Sequence, residues 1–176
     1  MPQEKISYAK TVYGEEEINA VVKCLSESTQ MGKYAREFEC KIAKLFSKEF
    51  CLYVNSGSSA LYLTIESFKF PENSEVITPT LTFSSTVGCL IKNNLIPVFI
   101  DVDKDTMGLS PKSLQLFLDE NTEMRDGECY NKTSGNRIKA CMPMHTFGHA
   151  CRIDEIAEIC SNYNIEIVED AAEALG

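Results

Sequence analysis

The sequence predicts an α/β protein: a mainly parallel sheet with helices on both faces. Three observations predict it. First, the chain from residue 50 onward carries short apolar runs at Cys51–Val54, Glu75–Thr78, Ile96–Val102, Ile138–Met142 and Glu166–Val168. Runs this short and apolar have the length of strands rather than helices. Second, the segments between them place apolar residues at helical spacing: Leu61/Ile65/Phe68, Val87/Leu90/Ile91, Leu114/Phe117/Leu118 and Ile153/Ile156/Ala157/Cys160. Third, strand and helix alternate, which is the pattern of consecutive βαβ units. Strands of a parallel sheet are covered on both faces, and so read as near-continuous apolar runs.

Taken in order, residues 14–27 show Ile18, Val21, Val22 and Leu25 at spacings 0, 3, 4 and 7, which predicts a helix. Ser28–Lys33 is a polar break. A second helix follows, with Phe38, Ile42, Leu45 and Phe46 on one face. Both helices precede any strand. The expected organisation is therefore an N-terminal helical arm over residues 1–49 and a sheet domain over 50–176. Ser110-Pro111 marks the start of the third helix of that domain, with serine as N-cap and proline at the first helical position. Residues 119–137 are polar, hold two glycines and show no periodicity, so a surface insertion is expected before the fourth strand.

Composition narrows the function. The formal net charge is −9, which argues against a general binder of nucleic acid or anionic membrane, since both need a basic footprint. A phosphate bound here must rely on local donors. The N-terminal stretch has no apolar core of a secretion signal, and no apolar run reaches membrane-spanning length. The eight cysteines are scattered without a CxxC pair, and most sit in apolar runs. Reduced, mostly buried thiols in a cytoplasmic protein are expected.

Several stretches carry potential chemistry. Asn55-Ser56-Gly57-Ser58-Ser59 ends a run and opens a helix. Its backbone N–H groups, the helix dipole and the hydroxyls of Ser58 and Ser59 suit a phosphate, although a plain serine N-cap accounts for the same pattern. Phe83 follows the second run and is either an aromatic platform or a core residue. His145 and His149 lie at i and i+4 with Cys151 nearby. Pro143 and Gly148 argue against one helical face, so no metal site is assigned, and His145 is expected to face a cleft. Asp101-Val102-Asp103-Lys104-Asp105 opens like a calcium loop but lacks its glycine and final glutamate, so it reads as a solvated turn. Asp170 follows the last run. Ser58, Phe83, His145 and Asp170 all fall at the carboxyl ends of strands, the ligand-binding edge of such a sheet. A phosphate anchor, an aromatic platform and an acid together suit a phosphorylated aromatic cofactor with a basic ring nitrogen.

The stretches GKYAREFE (32–39), NSGSSAL (55–61), EVITPTLTFSST (75–86), PVFIDVDKDTMGL (97–109), IKACMPMHTFGH (138–149) and IEIVEDAAEALG (165–176) together resemble the N-terminal part of the DegT/DnrJ/EryC1/StrS sugar aminotransferases. NSGSSAL or EDAA alone would be weak; the ordered set is specific. The resemblance implies an incomplete large domain of the type I aminotransferase fold, and pyridoxal 5'-phosphate as cofactor. It implies that Ser58 and Ser59 hold the phosphate, Phe83 stacks on the ring, Asp170 pairs with the ring nitrogen and Glu173 lies near the ring hydroxyl. It also implies a nucleotide-sugar substrate, an amino-acid donor such as glutamate, and a homodimer. MHTFGH and EDAAEALG are especially similar to enzymes that aminate C4 of UDP-linked 4-keto-6-deoxy-N-acetylhexosamines, and GDP-perosamine synthases share the second spelling. In the family the Schiff-base lysine lies C-terminal to the EDAA motif. The last lysine here is Lys139, and none matches, so the catalytic lysine is expected beyond Gly176, with the C-terminal domain also absent. The family's strand order would leave 51–54 without its neighbours. A non-catalytic remnant or interaction half, and a lysine-independent sugar dehydratase, stand as alternatives.

Overall fold

The computed structural model describes residues 11–27 and 32–175. Residues 28–31 of the expected polar break lie outside the described residues. The chain divides into two units, Met1–Tyr53 and Val54–Gly176.

The first unit holds helices α1 (Glu15–Glu27) and α2 (Lys33–Leu45). Three glutamates in the first turn of α1 complement the positive end of its dipole. Its stripe Ile18, Val21, Val22 and Leu25 lies on one side, as the spacing predicts, and stays more than half exposed. After α2, the aromatic rings of Phe38 and Tyr53 meet edge to face at 5.4 Å. Cys51–Val54 forms no strand, contrary to the expectation from its apolar composition. A strand needs a neighbour to receive its backbone groups; the Tyr53 N–H is instead donated to the Glu39 carboxylate at 2.8 Å.

The second unit is built on β1 (Glu75–Pro79), buried at every position. It pairs in parallel with β2 (Ile96–Ile100) on one side and β5 (Arg137–Cys141) on the other. Between β2 and β5 come β3 (Thr122–Arg125) and β4 (Glu128–Asn131); β6 (Glu166–Ile167) comes last and pairs in parallel with the carboxyl half of β5. Helix α3 (Gly57–Phe68) leads into β1, and α4 (Ser84–Lys92), α5 (Pro111–Asn121) and α6 (Ile153–Asn162) connect strands. The two faces of the sheet divide the core, and an irregularity in the β1–β5 pairing sets Ile138 and Ala140 on opposite faces. Val76, Ala140, Met142 and Val168 pack with Ile65, Cys89, Leu90 and Leu95 of the α3/α4 side. Ile77, Ile138 and Cys141 pack with Leu114, Leu118, Ile156 and Cys160 of the α5/α6 side. A fully buried leucine such as Leu114 or Leu118 contributes about 1.5–3 kcal/mol.

Residues 119–137 are not a structureless insertion. α5 runs on to Asn121, and β3 and β4 form an antiparallel hairpin that extends the sheet beside β5. Asp126 and Gly127 make its two-residue turn, both at positive φ (49° and 79°), as tight hairpin turns require. The hairpin's polar end is tied down by Glu75, whose buried carboxylate accepts from Asn131 at 2.8 Å and Ser134 at 2.5 Å.

Asp101–Asp105 is a turn, as expected: the Asp103 carboxylate accepts from the N–H groups of Asp105 (2.7 Å) and Thr106 (3.2 Å) and from Arg152 Nε (3.1 Å). Those donors hold the Asp103 carboxyl below its ordinary range. The loop returns through Gly108, where a Cβ would lie 2.7 Å from Cys151 Cβ and 3.2 Å from the Met144 carbonyl. The loop therefore packs its backbone directly against the segment after β5. Gly108→Ala is expected to lower stability by about 1–3 kcal/mol through overpacking. Gly57→Ala, with nothing within 4 Å of the added carbon, serves as the control. Thermal unfolding of the two variants checks this, and equal midpoints would contradict it.

Candidate active site

The carboxyl ends of β1, β5 and β6 form one edge. α3 leads into β1 and α4 leaves it, so the amino ends of both helices lie on that same edge. Backbone pairing carries β6 past its last strand residue: Val168 N donates to Cys141 O (3.0 Å), Asp170 N to Pro143 O (2.9 Å) and His145 N to Asp170 O (3.0 Å). Met144 and Asp170 form a parallel bridge. This pairing fixes where the Asp170 side chain emerges, on the α3/α4 side by its parity with Val168.

Asp170 is 3% exposed. Its Oδ2 accepts from Thr86 Oγ1 at 2.7 Å, and its Oδ1 accepts from Ala172 N at 3.3 Å. Thr86 is fully buried in the first turn of α4. Its single hydroxyl proton goes to the carboxylate. Each oxygen of Asp170 thus has one donor and retains acceptor capacity. The sequence spacing did not reveal Thr86, which lies 84 residues from its partner; a hydroxyl three residues after Phe83 in a helix entrance was the available signal.

Phe83 occupies the N-cap position of α4 and is 64% exposed, so it is not a core residue. Its N–H and the Thr82 hydroxyl point to Met144 Sδ at 3.3 and 3.2 Å, fixing the α4 entrance to the end of β5. At the entrance of α3, Ser56 is the N-cap, and its Oγ accepts from Ser59 N at 3.2 Å and meets Ser59 Oγ at 3.1 Å. The serine cap uses the Ser59 N–H and leaves the exposed Ser58 hydroxyl and the N–H groups of Gly57 and Ser58 outside the cap. With an open space around Gly57, this helix entrance suits an anion.

His145 does not face a cleft. It is 6% exposed; its Nδ1 accepts from Cys151 N at 3.2 Å, and its Nε2 lies 3.0 Å from Glu169 Oε2. With Nδ1 occupied as an acceptor, Nε2 carries the proton and donates to Glu169. His149 is exposed, and among the described residues no group of three His, Cys, Asp or Glu side chains is arranged to hold a metal ion. Glu173 is exposed, and its Oε2 accepts from Phe147 N at 2.8 Å. Lys139 is ion-paired with Glu128 at 2.8 Å.

The buried acid, the exposed ring and the uncommitted donors at the α3 entrance fit a phosphorylated pyridine cofactor. The hydroxyls of Thr78, near the carboxyl end of β1, and Thr146, in the turn after β5, are buried with no hydrogen-bond partner.

The acids also act on neighbouring thiols. Burial, and then the charge of Asp170, push the Cys89 thiol up to about 11. Burial, and then Glu169, push Cys151 up to about 11. A raised folded-state pKa means that the unfolded thiol ionises first. The stabilising contribution is therefore complete below the ordinary thiol value of 9.0 and is lost as pH rises through about 11. At neutral pH, iodoacetamide is expected to label the exposed Cys40 and spare Cys89 and Cys151 until the chain unfolds. Thr86→Val leaves one oxygen of a buried carboxylate without a donor and is expected to cost about 1–3 kcal/mol, with Thr86→Ser retaining most of the stability. Chemical denaturation measures both; a Val variant as stable as the Ser variant would contradict the hydroxyl's role.

Comparison with known proteins agrees with the fold. The chain is 29% identical over 171 residues to GDP-perosamine synthase of Escherichia coli O157:H7, covering 96% of this chain and 42% of that protein. It is 30% identical over 171 residues to the spore coat polysaccharide biosynthesis protein SpsC of Bacillus subtilis, covering 97% and 40%. Its structure superposes on an E. coli GDP-4-keto-6-deoxy-D-mannose-3-dehydratase with bound hydrated PLP at a TM-score of 0.79 and 25% identity, covering 96% of this chain and 41% of that one. The chain thus spans about two fifths of the length of the relatives it matches. The model of the DegT/DnrJ/EryC1/StrS aminotransferase family matches residues 12–176, and the chain belongs to that family.

Proposed function

We propose that this chain is the N-terminal part of a pyridoxal-phosphate-dependent nucleotide-sugar aminotransferase. The observation that carries the reading is the buried Asp170 carboxylate, hydrogen-bonded to Thr86 and Ala172 N at the end of β6. When bound, pyridoxal phosphate supplies a carbonyl carbon that takes up an amino group and a ring that accepts electrons. The chain's own residues bind and orient it. Ser58 and Ser59 hold the phosphate at the entrance of α3. Phe83 covers one face of the ring. Asp170 keeps the ring nitrogen protonated by presenting a charge that Thr86 and Ala172 N stabilise. Glu173 holds the ring hydroxyl.

The transfer runs from an amino acid, with glutamate as the donor, to a 4-keto nucleotide sugar. The spellings MHTFGH and EDAAEALG support a UDP-linked 4-keto-6-deoxy-N-acetylhexosamine. None of the lysines present matches the family's Schiff-base position, and Lys139 is engaged with Glu128. A homodimer is the expected assembly of the whole enzyme. Action in the cytoplasm accords with five buried, free cysteines. Among the described residues, no helix is long and apolar enough to cross a membrane.

A second reading, a lysine-independent sugar dehydratase, is supported by the likeness to the dehydratase structure. The two readings share the cofactor site and differ in the residue that occupies the Schiff-base position.

Equilibrium dialysis with pyridoxal phosphate tests the shared part. The chain should bind the cofactor, and Asp170→Asn should weaken Kd about ten- to a hundredfold, the loss of one charge-assisted hydrogen bond. Ser58→Ala should weaken it less. Unchanged affinity in Asp170→Asn would overturn the assignment of Asp170.

A further inference from the structure

The turn after β5 contains a second exposed aromatic residue to which the cofactor reading gives no task. Phe147 is 69% exposed and sits at φ 56°, ψ 25°, a left-handed conformation uncommon for a bulky side chain. Such a conformation persists only where its surroundings impose it, and it is found preferentially at functional positions. The restraints here are specific. The Phe147 N–H donates to Glu173 Oε2 at 2.8 Å. Gly148 N and His149 N close the turn onto His145 O and Thr146 O at 3.2 and 3.1 Å. Gly148, at φ 79°, lies so close to the Glu173 carbonyl that a Cβ would approach it to 2.8 Å. The Phe147 N–H is therefore tied to the Glu173 carboxylate, and Gly148 packs closely against the Glu173 carbonyl.

Glu173 is itself placed by Asp170. Ala172 N donates to Asp170 Oδ1, and Ala174 N donates to Ala171 O at 3.1 Å, so Asp170–Ala174 is one tight turn. Phe147 is thus held one hydrogen bond away from the turn that carries the ring-nitrogen acid, with its side chain in solvent. The core does not require this ring; Phe147 belongs to neither apolar cluster.

The geometry points to Phe147 as a substrate platform: the face on which the hexose ring of the nucleotide sugar packs, with Glu173 as the positioning residue. The inference rests on the nucleotide-sugar reading above. Charge selects the sugar rather than the diphosphate. The Glu173 carboxylate accepts from Phe147 N and the Glu169 carboxylate lies on His145 at the start of the turn, and a phosphate beside two carboxylates is repelled. A hexose ring is neutral and offers a C–H face to an aromatic ring, which takes up such a surface without needing a charge.

Saturation-transfer NMR on the chain with pyridoxal phosphate, using UDP-N-acetylglucosamine as the probe, tests this. Saturation of the protein's aromatic protons should reach the hexose-ring protons. In Phe147→Ala that transfer should fall several-fold, and in Phe147→Tyr it should persist. Glu173→Gln keeps an oxygen acceptor for the Phe147 N–H and should also retain it. Cofactor absorbance and the thermal midpoint should be the same in the wild type and both Phe147 variants. Hexose transfer that is unchanged in Phe147→Ala, or absent from the cofactor-loaded wild-type chain, would overturn the proposal. Absence of the cofactor spectrum from the wild-type chain would overturn the cofactor reading and the platform together, and absorbance identifies that case separately.

Discussion

The hydrogen bond between Thr86 and Asp170 is the constraint on which the site depends. It joins the entrance of α4 to the end of β6, and both groups are removed from water. A buried carboxylate is unfavourable unless donors compensate it, and a buried hydroxyl is unfavourable unless it has an acceptor. Each supplies what the other lacks. The consequence is directional: with Thr86 and Ala172 N committed as donors, Asp170 presents acceptor capacity to whatever enters from the edge. The parallel ladder between the extensions of β5 and β6 sets the position, and the hydroxyl sets the orientation.

The same construction recurs around this edge. Met144 sulfur receives the α4 entrance, the Glu169–His145 pair braces the β5 extension against the β6 extension, and Gly108 lets the Asp101–Leu109 loop press against Cys151. The edge is rich in acids, which fits the overall negative charge. At the entrance of α3 a serine cap leaves backbone donors uncommitted, which suits an anion. Local donors, rather than a basic field, decide where a phosphate is welcome.

Much of this was legible in the sequence. Apolar runs of strand length located β1, β2, β5 and β6, and helical spacing located all six helices. The Ser110-Pro111 cap is as expected. The failures have physical causes. Cys51–Val54 has a strand's composition, but pairing depends on a neighbour, and composition carries no information about neighbours. The 119–137 stretch looked structureless because its hairpin is polar and only four residues per strand, although Asp126-Gly127 was a usable turn signal. His145 was expected in a cleft; it is buried because Cys151 N and Glu169 satisfy both ring nitrogens. Thr86 was missed because a threonine in a helix entrance has no distinguishing pattern until the fold brings Asp170 to it.

The central claim is that Asp170 is held as the partner of a protonated ring nitrogen. Nitrogen-15 NMR of the chain loaded with pyridoxal phosphate labelled at that nitrogen tests it most directly. A protonated-pyridine shift at neutral pH that moves to the unprotonated range in Asp170→Asn is the expected result. An unprotonated nitrogen in the wild-type chain, or a protonated one unaffected by Asp170→Asn, would contradict it.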